Sequence, residues 1–194
     1  MKKDLRFKYA RFQSLHEPEI IPRIPTTGDY NFQNVNRIID FLYSLQLLPF
    51  IELGPKPKKF NADRENYVFI SDAEQLVTTP DTYADLLHRL LHHCINRYGL
   101  SEVEKWRFEH WLPHGMHLEY TDEAIDTFIT YYRITYRVIK SLLPNAKVGG
   151  CCLNMTISST TLRKVLSQLA LSDLHFDFMS VISFHIEVPN FPDI

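Results

Sequence analysis

Apolar positions along this chain follow two alternating rhythms: short, nearly continuous runs, and longer stripes at helical spacing. The run FKYARF at 7–12 predicts a strand, and the proline-rich stretch 13–29 is too irregular to extend it. From Asn34, the residues Val35, Ile38, Ile39, Leu42 and Leu45 recur at i, i+3, i+4 and i+7. They predict a helix of about three turns with Asn31 or Asn34 as its N-cap. LPFIEL at 48–53, bounded by Gly54 and Pro55, predicts a strand buried on both faces in a parallel sheet. The charged, proline-rich segment 55–81 then reads as a long excursion from that strand, a form often taken by functional lids. Tyr83, Leu86, Leu87, Leu90, Leu91, Cys94 and Ile95 trace a second helix, which Gly99 ends. WRFEHW at 106–111 predicts another strand, stopped by Pro113 and Gly115. Thr121 caps a helix whose buried face is Ile125, Phe128, Ile129, Tyr132, Tyr136 and Ile139, running to about Leu143 and closed by Pro144. KVGG at 147–150 is a short strand, Leu162, Val165, Leu166 and Leu169 mark a last helix, and FDFMSVISF at 176–184 a last buried strand.

Strand and helix alternate without a hairpin signal, which predicts right-handed β/α units and a parallel sheet, the α/β class. In such folds ligands bind where strands exit at their C-terminal ends. Gln13, Glu52, Glu109, Trp111 and His114 all lie at or just beyond predicted strand ends, so one mouth should gather them. Trp111 offers an aromatic plane at a strand exit on which a ligand can stack. Paired carboxylates such as Glu52 and Glu109 are the usual instruments of acid/base chemistry. Arg11, leaving a neighbouring strand, makes a structural arginine–carboxylate network the preferred reading of the pair. His110, His114 and His117 have a spacing that metal sites use, but Pro113 and Gly115 bend the loop, and no metal or other cofactor is expected. His88 and His92, one helical turn apart, are expected at the surface.

At 194 residues, 45% of them hydrophobic, the chain suits a single domain over 1–194 with a substantial core. Its 21 basic and 23 acidic residues nearly cancel, so no nucleic-acid surface is expected in this segment. The basic N-terminus lacks the apolar run of a signal peptide, and no window approaches a membrane span, which places the chain in the cytoplasm. Cys94, Cys151 and Cys152 form neither a disulfide framework nor a zinc pattern and are expected as reduced, buried thiols.

The order FKYARF, YNFQNVNRIIDFL, LPFIELGPKP, WRFEHW, IKSLLPNAKVGG and DFMSVISF resembles the catalytic barrel of family-39 glycoside hydrolases, the β-xylosidases and their relatives. It is most similar to the version attached to AraC-type transcriptional regulators. The resemblance implies a (β/α)8 barrel present from its second to its sixth strand, incomplete in this chain, and a fragment of a longer protein. A complete barrel of this kind takes about 250 residues and eight strands. The family's fourth-strand signature, Phe-Glu-x-Trp-Asn-Glu-Pro, carries the general acid/base in its second glutamate. Phe108, Glu109 and Trp111 match it, and Leu112 and Pro113 then replace Asn-Glu-Pro. The nucleophile belongs to a seventh strand that this chain does not reach. Gln13 replaces the histidine of Arg-Phe-His, and Ile182 and Phe184 replace the histidine and tyrosine of the sixth strand.

A retaining glycosidase needs two carboxylates about 5–5.5 Å apart, and by this resemblance neither is present. The preferred reading is therefore a non-catalytic domain that senses a xylose- or arabinose-type sugar or uses its surface to form a homodimer, within an AraC-type regulator whose DNA contacts lie elsewhere. The competing reading is an active β-xylosidase-like hydrolase with a displaced carboxylate such as Glu119.

Overall fold

A computed structural model describes residues 6–12, 15, 20–54, 79–111, 122–154 and 159–182. Among the described residues five strands alternate with helices: β1 Tyr9–Phe12, α1 Gln33–Ser44, β2 Leu48–Leu53, α2 Pro80–Tyr98, the short α3 Leu100–Val103, β3 Arg107–Trp111, α4 Asp122–Leu142, β4 Lys147–Asn154, α5 Ser159–Leu171 and β5 Met179–Ile182. The strands form one sheet in the order β1-β2-β3-β4-β5, and every neighbouring pair is parallel. This is the predicted α/β class, an incomplete barrel of five curled strands with helices on its outer side. None of the described helices is long and apolar enough to cross a membrane.

The Gly99 signal ends α2 as expected, the structure adds a cap at its start, and the signals of α1 act less directly. Thr79 caps α2 by accepting the Thr82 N–H at 3.2 Å, with Pro80 in the first turn. Gly99, at φ +88°, closes the same helix by donating its N–H to Ile95 O at 2.9 Å. At α1 the N-cap position is Phe32 rather than either asparagine, and Asn31 Oδ1 instead accepts the Gln33 N–H at 3.0 Å. The C-terminus of α1 is a Schellman turn: Leu47 N–H reaches Leu42 O at 2.9 Å and Gln46 N–H reaches Tyr43 O at 2.8 Å, with Gln46 at φ +54°. Asp173, at φ +53°, ends α5 in the same way, followed by buried Leu174. The predicted cap Thr121 and the excursion 55–78 lie outside the described residues.

Alternation along each strand divides the side chains between two environments. Ile51, Leu53, Phe108 and Val148 face the helices and join Val35, Ile39, Leu87, Leu91, Phe128, Tyr132, Ile139, Val165 and Leu169 in one core. Trp106 is fully buried at the entry to β3, its Nε1–H donating to Tyr43 Oη at 2.9 Å, and burial pushes the Tyr43 phenol up to about 12. Cys94 is a buried free thiol, as expected, and burial raises it to about 12. At the strand entries Asp177 accepts Lys140 Nζ at 2.8 Å and Val148 N–H at 2.9 Å, fastening α4, β4 and the approach to β5.

The other face of the sheet curls inward. Phe50 on β2 and Phe178, just before β5, meet edge to face with ring centres 5.5 Å apart although two strands separate them. Gly149 makes this possible, because a Cβ there would stand 2.2 Å from Phe178 O and 2.8 Å from its ring. Beyond Gly150 the register with β5 shifts before Leu153, a bulge of the kind that bends a strand and strengthens local twist.

Candidate functional site

The inner face carries a polar chain drawn from four of the five strands. Glu52 of β2 and Glu109 of β3 are register partners, and both are buried, at 2% and 0% exposure. Two carboxylates side by side in a low-dielectric interior repel unless a cation is shared between them. Arg11 of β1 supplies it: Nη2 lies 2.7 Å from Glu52 Oε2 and 2.5 Å from Glu109 Oε2, while Nε–H donates to the same Glu109 oxygen at 2.7 Å. Ser180 of β5 donates its hydroxyl to Glu109 Oε1 from the opposite side. Glu109 is thus held through both oxygens, by strands two places away in each direction.

This arrangement fixes orientation more than it offers reactivity. A catalytic carboxylate must reach a reacting atom, whereas Glu109 is fully enclosed and both its oxygens are occupied. Arg11 keeps 27% exposure, whereas the two glutamates are at 2% and 0%. The network expected from Arg11, Glu52 and Glu109 is present. Ser180 was absent from the sequence expectation, because β4 separates it from Glu109 in the sheet and only the curl over Gly149 and Gly150 closes that gap.

The remaining expected site residues fall differently. The backbone of Trp111 closes β3 opposite Cys151 of β4, which puts it at the mouth end of the sheet; its side chain is outside the described set. Gln13 and His114, like His117 and Glu119, also lie outside the described residues. His110 is described, and it faces the helices rather than the mouth. Its Nδ1 is 2.9 Å from Thr135 Oγ1, and Tyr83 Oη is 2.8 Å from the same oxygen. Thr135 gives its own proton to Tyr131 O at 3.0 Å, so its oxygen accepts from both His110 Nδ1–H and the Tyr83 hydroxyl. Tyr83 is entirely buried, which pushes its phenol up. Gly54, at φ +109°, lets the chain leave β2 directly over this imidazole, where a Cβ would stand 2.9 Å from His110 Cε1. His110 therefore braces the outer side of the β2 exit and does not converge with the residues of the mouth.

The comparisons with known proteins agree with this architecture. The family model described as glycosyl hydrolases family 39 matches residues 1–188. A β-xylosidase of Geobacillus stearothermophilus is 31% identical over 159 residues, an alignment spanning 77% of this chain and 31% of that enzyme. An α-L-iduronidase of Mus musculus is 31% identical over 123 residues, covering 62% of this chain and 18% of its own length. Among solved structures, a monomeric β-xylosidase from Caulobacter crescentus superposes with a TM-score of 0.71 at 24% identity, covering 94% of this chain and 37% of that one. At that identity the superposition speaks for the fold. The chain thus spans about a third or less of the length of these curated relatives.

Proposed function

This chain belongs to glycosyl hydrolase family 39, and from that membership we propose that its barrel mouth binds a xylose- or arabinose-type sugar without hydrolysing it. The observation that carries the reading is the state of the carboxylates on the inner face. Glu52 and Glu109 are buried and tied to Arg11, and Glu109 also to Ser180. In sequence, Leu112 and Pro113 stand where an exposed acid would follow Glu109. Proton transfer by a positioned acid supplies about 10²–10⁴-fold in rate, and no described carboxylate at this end of the sheet is placed to provide it. Sugar recognition asks for less: a stacking plane, assigned here to Trp111, and a few polar groups at the strand ends. A sensing domain of this kind suits an AraC-type regulator, in which a separate domain would contact DNA.

Stacking plus a few neutral hydrogen bonds supports a dissociation constant on the order of 0.1–1 mM. Titration with xylose, xylobiose and arabinose, followed by calorimetry, should show such binding, and Trp111→Ala should abolish it while leaving the fold intact. Equal binding by Trp111→Ala, or none at tens of millimolar sugar, would remove the sensing role. The second reading, an active glycosidase, draws on the relatives' names, β-xylosidase and α-L-iduronidase. Turnover of aryl β-xylosides that disappears in Glu119→Gln would establish it in place of the first.

A further inference from the structure

Away from the mouth, α2 carries His88 and His92 on its solvent side. A spacing of four residues stacks them one turn apart on a single helical face. Both are exposed, and their ring centres are 4.5 Å apart with planes inclined at 56°. Among the described residues neither imidazole forms a hydrogen bond or an ion pair. The adjacent His93 behaves differently: it stacks on Phe32 with ring centres 4.7 Å apart, and its Nε2 lies 2.7 Å from Asn36 Oδ1. His93 is consumed by packing, whereas His88 and His92 keep their ring nitrogens for a ligand from solution.

The separation of the rings bears on what that ligand is. Two imidazoles in adjacent positions of a square-planar or tetragonal ion, with metal–nitrogen bonds of about 2.0–2.1 Å meeting near a right angle, hold their ring centres roughly 4.5 Å apart. The helix has therefore already brought the two rings to the separation that chelation requires. We propose that His88 and His92 form a two-point surface site for a divalent transition-metal ion of the Cu²⁺ or Ni²⁺ class. No third protein ligand joins them: among the described residues no group of three or more His, Cys, Asp or Glu side chains is gathered for a metal. Asp85, one turn earlier, is held by Arg89 Nε at 2.8 Å, and Arg89 in turn lies 3.3 Å from Asp29. Water fills the other coordination positions. The ion clasps one turn of α2 and so favours the folded helix over the unfolded chain.

The test uses the untagged 194-residue chain with CuCl₂, NiCl₂ and ZnCl₂ separately at neutral pH, beside His88→Gln and His92→Gln. Both side chains are exposed, so circular dichroism should show both variants folded. Imidazole ligation predicts that Cu²⁺ binds most tightly of the three. Either substitution should weaken Cu²⁺ binding on the order of tenfold or more, since one of the two ligand bonds is lost. Electron paramagnetic resonance of the Cu²⁺ form should show two equivalent nitrogen ligands in the parent and lose that pattern in each variant. The melting temperature should rise with metal in the parent alone. Unchanged Cu²⁺ affinity and spectrum in both variants would assign the uptake to other histidines and overturn the proposal, as would no uptake by the parent at 10-fold excess metal.

Discussion

Arg11 is the residue on which the inner face depends. It neutralises two buried carboxylates at once, through Nη2 to Glu52 and through Nη2 and Nε to Glu109. Breaking one partner of a buried ion pair costs about 3–5 kcal/mol, because the charge left behind remains desolvated. With Arg11 partly open to water, Arg11→Met should lower unfolding stability by about 2–4 kcal/mol in urea titration. The double substitution Arg11→Met with Glu109→Gln should recover part of that loss, since one of the stranded charges is gone. A melt unchanged by Arg11→Met would show that the carboxylates are satisfied in some other way. This much was legible in the sequence, because Arg11, Glu52 and Glu109 each stand near the exit of a neighbouring predicted strand. Ser180 was not, since its role depends on a contact that skips β4.

At the level of the elements, β4 acts as the hinge of the curl. Its two glycines admit close neighbours on opposite faces: a Cβ on Gly149 would lie 2.2 Å from Phe178 O, and one on Gly150 would lie 2.7 Å from His110 O. Both obstacles are backbone atoms, which cannot rotate aside. Gly149→Ala must therefore push β5 outward, and overpacking of this kind typically costs 1–3 kcal/mol. We expect a loss at or above about 2 kcal/mol, together with faster hydrogen exchange of the Met179–Ile182 amides, because the β4–β5 pairing and the Ser180 bond to Glu109 both depend on that approach. Exchange unaltered in β5 would mean that the strand tolerates the displacement. In the sequence the pair reads only as a glycine exit ending a short strand, whereas β4 continues through it to Asn154.

Across the whole molecule, six of the eight exposed large apolar side chains among the described residues belong to the first and last β/α units of the sheet. Phe7, Phe41 and Leu45 lie at the β1–α1 end, and Leu166, Leu171 and Met179 at the α5–β5 end, with Leu171 88% exposed. Among the described residues, β1 and β5 each pair along one edge only. Open parallel edges flanked by apolar surface favour association. The 194-residue chain alone should therefore sediment as a concentration-dependent oligomer. A compact monomer with a single cooperative melt would show that both edges are covered within the chain.

What the sequence alone determined was the order and type of the elements. Short apolar runs, stripes at helical spacing, the Gly99 signal and the absence of hairpin turns are local properties, and they specify β/α units. The family motifs added the barrel, and by resemblance the expectation that Leu112 and Pro113 replace Asn-Glu-Pro. Only the tertiary structure decided which face each polar residue serves. His110 sits one place from Glu109 in the same strand, yet it turns to the helices while Glu109 turns inward, because adjacent side chains in a strand point to opposite sides. The tertiary structure also decided that Ser180 reaches Glu109, a contact set by how sharply five parallel strands curl over two glycines. That curvature arises from packing between residues distant in the chain, so no local pattern encodes it.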